Sequence, residues 1–219
     1  MAELTDLKQP IAIRTEYIAP HPTTIHIKQK KTPKNGASGE DLTVWTSSSS
    51  SNQEKDGQKL FSVTSESVPF SQRRHLRDAS GLPFFELSQK KSGVTWFVRP
   101  PGGNETVSSE SIAVIAPRWN PFKNKLDVYV MNAAGGGNEV KLKVRGQDLS
   151  RLRTHVYSNG ALVMAATRTS VHESVDENEW KVDVARGIDI SLASVIMVVM
   201  AYMLHITAAS SYRGRGDVR

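Results

Sequence analysis

Residues 179–206, EWKVDVARGIDISLASVIMVVMAYMLHI, join two hydrophobic patterns in one short segment. Trp180–Val184 alternates apolar and charged residues, which is typical of a half-buried strand. Ile190–Leu204 is apolar on nearly all sides and too long for an ordinary strand, so it predicts a helix buried all round. Asp189 directly precedes it, and a carboxylate is favourable at a helix N-terminus. The segment therefore predicts a strand, a short turn and a core helix.

A membrane span is the alternative interpretation of the same segment. At about 1.5 Å per residue, the apolar run would be roughly 22 Å long, shorter than the ~30 Å hydrocarbon layer of a bilayer. Extension to 188–206 brings Asp189 and His205 into the ends of the helix. A tail-anchored membrane protein with 188–206 as its transmembrane helix stays open at this point.

Period-two alternation continues upstream and predicts an antiparallel meander. Asn159-Gly160 suits the positive φ angles of a type I′ hairpin turn. With the strand at 180–184, the runs give about twelve strands, and a closed barrel of that size has room for a helix about 10 Å across. The sequence thus predicts an α+β, mostly β fold: a closed antiparallel barrel around a central hydrophobic C-terminal helix. The other predicted strands are 23–29, 42–45, 59–64, 72–77, 83–88, 94–99, 111–115, 126–131, 140–145, 151–157 and 161–167.

Composition excludes several classes of protein. The 219 residues contain no cysteine, which rules out disulfide scaffolds, cysteine-based zinc sites and thiol nucleophiles. The net charge of +6 is accounted for by two short stretches, Lys28–Lys34 and Arg213–Arg219, so no general basic field for nucleic acid is expected. The N-terminus has no signal-like apolar region, so we expect a cytoplasmic protein, peripheral at most at a membrane.

The predicted domain organisation has three parts. Residues 1–21 form an N-terminal arm, flexible or packed on an edge, and 22–206 form the barrel domain. Polar Gly- or Ser-rich segments predict loops at 30–41 and 46–58. Residues 207–219 form a basic flexible tail.

Several stretches resemble one known family over about four-fifths of the chain. They are HPTTIHIKQK (21–30), QRRHLRDASGLPFFELSQKK (72–91), VTWFV (94–98), LDVYVMNAAGGGNEVKLKVRG (126–146) and residues 179–206. This order of elements is similar to the LURP-one-related branch of the tubby C-terminal-like superfamily, which also includes the phospholipid scramblases. The resemblance implies a twelve-stranded barrel around a C-terminal helix, and binding of lipid or of a partner. The Ser-rich insertion after Trp45, the PPGGNET stretch after Arg99, the N-terminal arm and the Arg-rich tail depart from the family pattern.

A candidate anion-binding site lies on the predicted hairpin 140–157. If Val140, Leu142 and Val144 face the helix, the residues between them and their counterparts on the next strand face outward. Like charges on paired strands repel, so such a patch favours an anionic partner, although acids such as Asp148 or Glu139 would instead make it an ordinary solvated face. The candidate residues are Lys141, Lys143, Arg145, Arg151 and Arg153, with His155 beside them.

No catalytic motif is recognisable. The chain has no G-x-S-x-G elbow, His172-Glu173 lacks a companion ligand, and Gly135–Gly137 predicts a hairpin loop rather than a phosphate-binding loop. We therefore expect a non-enzymatic binding protein without cofactor or metal. Its expected partner is an anionic membrane lipid, for example a phosphoinositide, or another protein, and no nucleic acid is expected.

Overall fold

The computed structural model describes residues 3–30, 40–47, 57–68, 71–89, 93–102, 111–118, 125–171 and 178–213. Side chains are described for these residues except 40, 66–68, 71, 170–171 and 205–213. The strands and the helix are β1 (Thr23–Gln29), β2 (Glu40–Thr46), β3 (Lys59–Val68), β4 (Ser71–Asp78), β5 (Pro83–Gln89), β6 (Trp96–Arg99), β7 (Ala113–Pro117), β8 (Lys125–Asn132), β9 (Asn138–Gly146), β10 (Arg153–Ser158), β11 (Ala161–Val171), β12 (Asn178–Val184) and α1 (Ile190–Arg213).

The strands form one closed antiparallel barrel, as the sequence predicts. Each strand pairs with its neighbours in the sequence, and β1 closes the barrel by pairing with β12, with Ile25 opposite Val182. Apolar residues at alternate positions point inward, so that β12 has the strict pattern of a buried residue at every second position. Because the barrel is closed by hydrogen bonds between its first and last strands, it has no free sheet edge.

The helix α1 fills the barrel. Every residue from Leu192 to Ala201 is at most 2% exposed, whichever way its side chain points. A helix that is apolar on all sides and buried on all sides inside a closed sheet is the core of that sheet. The ring of Tyr202 packs edge-on against Trp96 of β6, with centroids 5.0 Å apart, where the helix leaves the barrel. Residues 192–201, the middle of the alternative membrane span, therefore lie against the barrel wall.

Among the residues that the structure describes, no helix reaches the length and apolar character that a bilayer crossing requires. The helix nevertheless extends beyond the predicted Leu204, to Arg213. Thr207–Arg213, which the sequence assigned to the flexible tail, therefore has helical backbone. Of the predicted loops and tail, 31–39, 48–56 and 214–219 lie outside the described residues, and with them two of the four lysines of the Lys28–Lys34 cluster.

Residues 3–21 pack across the end of the barrel at which α1 begins, which we call the arm end. Ile11, Ala12 and Ile13 are buried there. The backbone N–H of Ile11 donates to the Gly187 carbonyl at 2.9 Å, and the N–H of Ala19 donates to the Ile188 carbonyl at 2.9 Å. The opposite end, where Tyr202 meets Trp96, is called the exit end below.

Asp189 joins this arm to the helix. Its Oδ1 accepts from the backbone N–H of Ser191 at 2.7 Å and from the Ser191 hydroxyl at 2.6 Å. Its Oδ2 accepts from the N–H groups of Ile13 and Arg14 at 3.0 and 2.9 Å. The carboxylate expected at the helix start thus also satisfies backbone donors of the arm 175 and 176 residues away in the sequence.

Candidate anion-binding face

Three of the five candidate cations, Lys141, Lys143 and Arg145, lie on β9, which pairs with β8. In the register of β8 and β9, Asp127 lies opposite Lys143, and Lys125 lies opposite Arg145. These positions alternate with fully buried residues such as Leu126 and Val144, so their side chains point away from the barrel interior. Position along the strands places Lys125 and Arg145 near the exit end.

Three cations contact the carboxylate of Asp127. Arg118, which follows β7, approaches it with Nε 3.0 Å from Oδ2. The Nζ of Lys141 lies 3.1 Å from the same oxygen, and a terminal nitrogen of Arg145 lies 3.0 Å from Oδ1. We call this surface the basic face; its charged members are Arg118, Lys125, Asp127, Lys141, Lys143 and Arg145. Five cations and one carboxylate give it a net charge of +4.

The ionisation of Asp127 follows from these contacts. Burial raises its pKa, but the hydrogen bonds from Arg145, Lys141 and Arg118 outweigh that effect and lower the pKa to about 2. The same contacts raise the pKa of Lys141, chiefly through its bond to Asp127. Asp127 is therefore ionised at every physiological pH and holds its three partners in place.

The carboxylate of Asp127 is expected to make the free energy of unfolding depend on pH. Because the folded pKa of about 2 lies below the usual 3.8, ionised Asp127 stabilises the fold above pH ~4, and this contribution is lost as the pH falls towards 2. The shift corresponds to about 2 kcal/mol at neutral pH. Asp127→Asn is expected to unfold at lower urea concentration than wild type at pH 7, and the difference between the two urea midpoints is expected to be smaller at pH 2.5. A difference between the midpoints that is constant across this pH range would contradict the assignment.

The predicted site residues on β9 differ in how many hydrogen bonds and ion pairs they already make within the protein. Arg145 also donates to the carbonyls of Leu126 and Val144, both at 2.8 Å, so most of its donors are used within the barrel wall. Lys141 shares Asp127 and lies 5.1 Å from the ring centroid of Tyr129. Lys143 is exposed and makes no ion pair with any described residue. The three side chains thus point outward, and two of them are paired with Asp127.

Arg153 is an exposed residue of β10, as the sequence predicted, but Arg151 is not placed as predicted. β10 begins at Arg153 rather than Arg151, and Arg151 sits in the preceding turn with φ of 58°. The reason is Asp148, whose carboxylate accepts from the backbone N–H groups of Leu152 and Arg153 at 2.8 and 2.9 Å and so replaces ladder pairing there. The Nε of Arg153 lies 3.4 Å from the same carboxylate. Arg153 is therefore paired with an acid, and Arg151 belongs to a turn, not to the strand.

Sequence reasoning missed Arg118, Lys125 and Asp127. Lys125 and Asp127 alternate with Leu126 and Val128, so their outward direction was visible in the sequence. Their position beside Lys143 and Arg145 depends on the register of β8 against β9, which the spacing along either strand does not specify.

A comparison with protein families matches residues 23–201 to the LURP-one-related family. This match spans most of the chain and nearly coincides with the predicted 22–206 domain. The chain belongs to the LURP-one-related family. The resemblance inferred from the sequence is confirmed, and membership favours a non-enzymatic barrel protein.

Solved structures support the same fold. An X-ray structure of an Arabidopsis thaliana protein aligns with a TM-score of 0.57 at 20% identity, covering 89% of this chain and 98% of that one. At this identity the likeness establishes the fold of this LURP-one-related chain alone. A comparison with curated proteins gave no match.

Proposed function

We propose that this LURP-one-related protein is a non-enzymatic binding protein that holds anionic phospholipid headgroups, of the phosphoinositide type, on its basic face. The observation that supports it best is the net charge of +4 of the basic face, in which Arg118, Lys141 and Arg145 surround the carboxylate of Asp127; Glu139, at the start of β9, is the further acid on these two strands. Cations gathered on an exposed surface attract the anionic phosphates of a membrane leaflet.

The arrangement around Asp127 makes the face better suited to this task than an equal number of free side chains. Arg118 and Lys141 are fixed by the carboxylate yet keep 48% and 42% of their side-chain surface exposed. Cations that are already ordered lose less conformational entropy when a phosphate binds. Lys125 and Lys143 make no ion pair with any described residue and add two further positive charges to the basic face.

The expected affinity is modest. At about 1 kcal/mol for each cation near an anionic surface, a net charge of +4 contributes about 4 kcal/mol, equivalent to a dissociation constant of about 1 mM. Binding through this face alone is therefore reversible, and it weakens as salt screens the charges.

Vesicle co-sedimentation tests the proposal. The full chain is expected to sediment with phosphatidylcholine vesicles containing phosphatidylinositol bisphosphate and to stay in the supernatant with phosphatidylcholine alone. Lys125→Gln/Lys143→Gln removes the two cations of the basic face that make no ion pair with a described residue, and it is expected to reduce sedimentation at least fivefold. A circular dichroism melt of each variant verifies that the barrel is intact.

Lys8→Gln/Arg186→Gln serves as the matched control, because it removes the same charge from exposed residues at the arm end. It is expected to sediment like wild type. An equal loss of vesicle sedimentation in the two double variants would contradict the assignment of lipid binding to the basic face. No sedimentation of wild type with the phosphoinositide vesicles would contradict lipid binding and favour a protein partner.

A further inference from the structure

An exposed leucine stands at the exit end beside the basic face. Leu149 is 69% exposed and lies in the turn between β9 and β10, four residues beyond Arg145. The side-chain amide of Gln147 donates to the Arg145 carbonyl at 2.9 Å, and the backbone N–H of Gln147 donates to the Arg153 carbonyl at 2.9 Å. The turn is thus tied to the strand that displays the cations.

Asp148 holds this turn in one conformation. Besides the N–H groups of Leu152 and Arg153, its carboxylate accepts from the Ser150 hydroxyl at 3.0 Å. Burial raises the pKa of Asp148, but these hydrogen bonds outweigh it and leave the pKa below its usual value. Since the bonds hold the backbone on both sides of Leu149, the side chain is presented outward without a large loss of conformational entropy on contact with a partner.

We propose that Leu149 enters the outer hydrocarbon of an anionic bilayer while the basic face contacts the headgroups. This inference rests on the proposed function and adds the source of the phosphate: a membrane surface rather than a soluble inositol phosphate. Charge at the surface and a few apolar side chains in the interface together determine how strongly a peripheral protein binds. The basic face alone gives weak attachment, and the leucine beside it is the second element.

A comparison with Leu82 shows why the basic face favours the exit end of the barrel as the end that faces the bilayer. It is 63% exposed and lies in the β4–β5 turn, where Asp78 accepts from the backbone N–H groups of Ser80 and Leu82, both at 2.9 Å. This turn lies at the arm end, and the charges of Arg77 and Asp78 within it cancel. Two similar turns with similar exposed leucines therefore differ in their distance from the basic face. We infer that the exit end, with Leu149, faces the bilayer.

The absence of cysteine makes a direct test possible, because a single introduced cysteine is the only labelling site. Leu149→Cys and Leu82→Cys, each labelled with the polarity-sensitive dye NBD, are compared with the same phosphoinositide vesicles. The dye at position 149 is expected to shift to shorter wavelength, brighten at least twofold and be quenched by doxyl groups on the lipid chains. The emission wavelength and brightness of the dye at position 82 are expected to be the same with vesicles as in buffer.

Unlabelled Leu149→Ser is expected to bind these vesicles about tenfold more weakly than wild type, and Leu82→Ser to bind normally. Binding of soluble inositol trisphosphate, measured by calorimetry, is expected to be equal in all these proteins. If wild type sediments but the dye at position 149 does not respond, the insertion of Leu149 is overturned and the proposed function stands. If wild type does not sediment, the proposed function fails first. Equal dye responses at 149 and 82 would overturn the orientation.

Discussion

Val198→Asp is expected to prevent folding altogether. Val198 lies near the middle of the buried stretch of α1 and is 0% exposed. The substitution would bury a carboxylate among apolar side chains on the barrel axis, where neither water nor a cation can reach it. That cost exceeds several kcal/mol and approaches the whole stability of a domain, about 5–15 kcal/mol. We expect no cooperative unfolding transition by circular dichroism.

Two variants complete this experiment. Val94→Asp introduces the same carboxylate at a valine that is 61% exposed and is expected to change stability by no more than about 0.5 kcal/mol. Val198→Ala removes only two methyl groups and is expected to leave a cooperative fold, destabilised by about 2 kcal/mol. A folded Val198→Asp protein with near-normal stability would mean that α1 does not occupy the barrel interior.

Asp189→Ala is expected to have the second-largest effect, a loss of about 3–5 kcal/mol. Its carboxylate is 0% exposed and accepts bonds from Ser191, Ile13 and Arg14. Removing it eliminates the helix cap, about 1 kcal/mol, leaves the buried N–H of Ile13 unsatisfied, about 1–3 kcal/mol, and removes the acceptor of the part-buried N–H of Arg14, about 1 kcal/mol. Burial raises the pKa of Asp189 and these hydrogen bonds oppose that rise, so the group depends on its donors.

The measurement is urea denaturation together with amide hydrogen exchange at Ile13 and Arg14. Both amides are expected to exchange faster in Asp189→Ala, since they lose their acceptor. Asp183→Ala is the matched control: its side chain is 36% exposed, accepts from the Thr24 hydroxyl and forms an ion pair with Lys181 on the barrel exterior. It is expected to cost less than about 1 kcal/mol. Similar losses in the two variants would contradict the role of Asp189 as the link between arm and helix.

The fold was largely predictable because its signals are local. The alternation in β12 and the apolar run of α1 are periodicities of the chain, and each of the twelve predicted strands overlaps an observed one. Strand ends were less predictable. β10 begins two residues later than expected because Asp148 takes the N–H groups of Leu152 and Arg153, an effect of turn chemistry on the ladder.

The candidate site was only half predictable. The direction of Lys141, Lys143 and Arg145 followed from alternation, whereas Asp127 and its three ion pairs depend on how β7, β8 and β9 align. Register shifts move a side chain to a new neighbour without altering the pattern along its own strand.

The sequence by itself determined the inward and outward faces of the strands, the helix within the barrel and the carboxylate at its start, because hydrophobic period and capping act over a few residues. Only the tertiary structure decided that Asp189 also binds the arm, that Asp127 lies among cations, and that Leu149 stands beside them. Asp189 meets the arm 175 and 176 residues away, and Asp127 meets its cations only because neighbouring strands pair in one register, so strand pairing and packing, not local preference, bring these groups together.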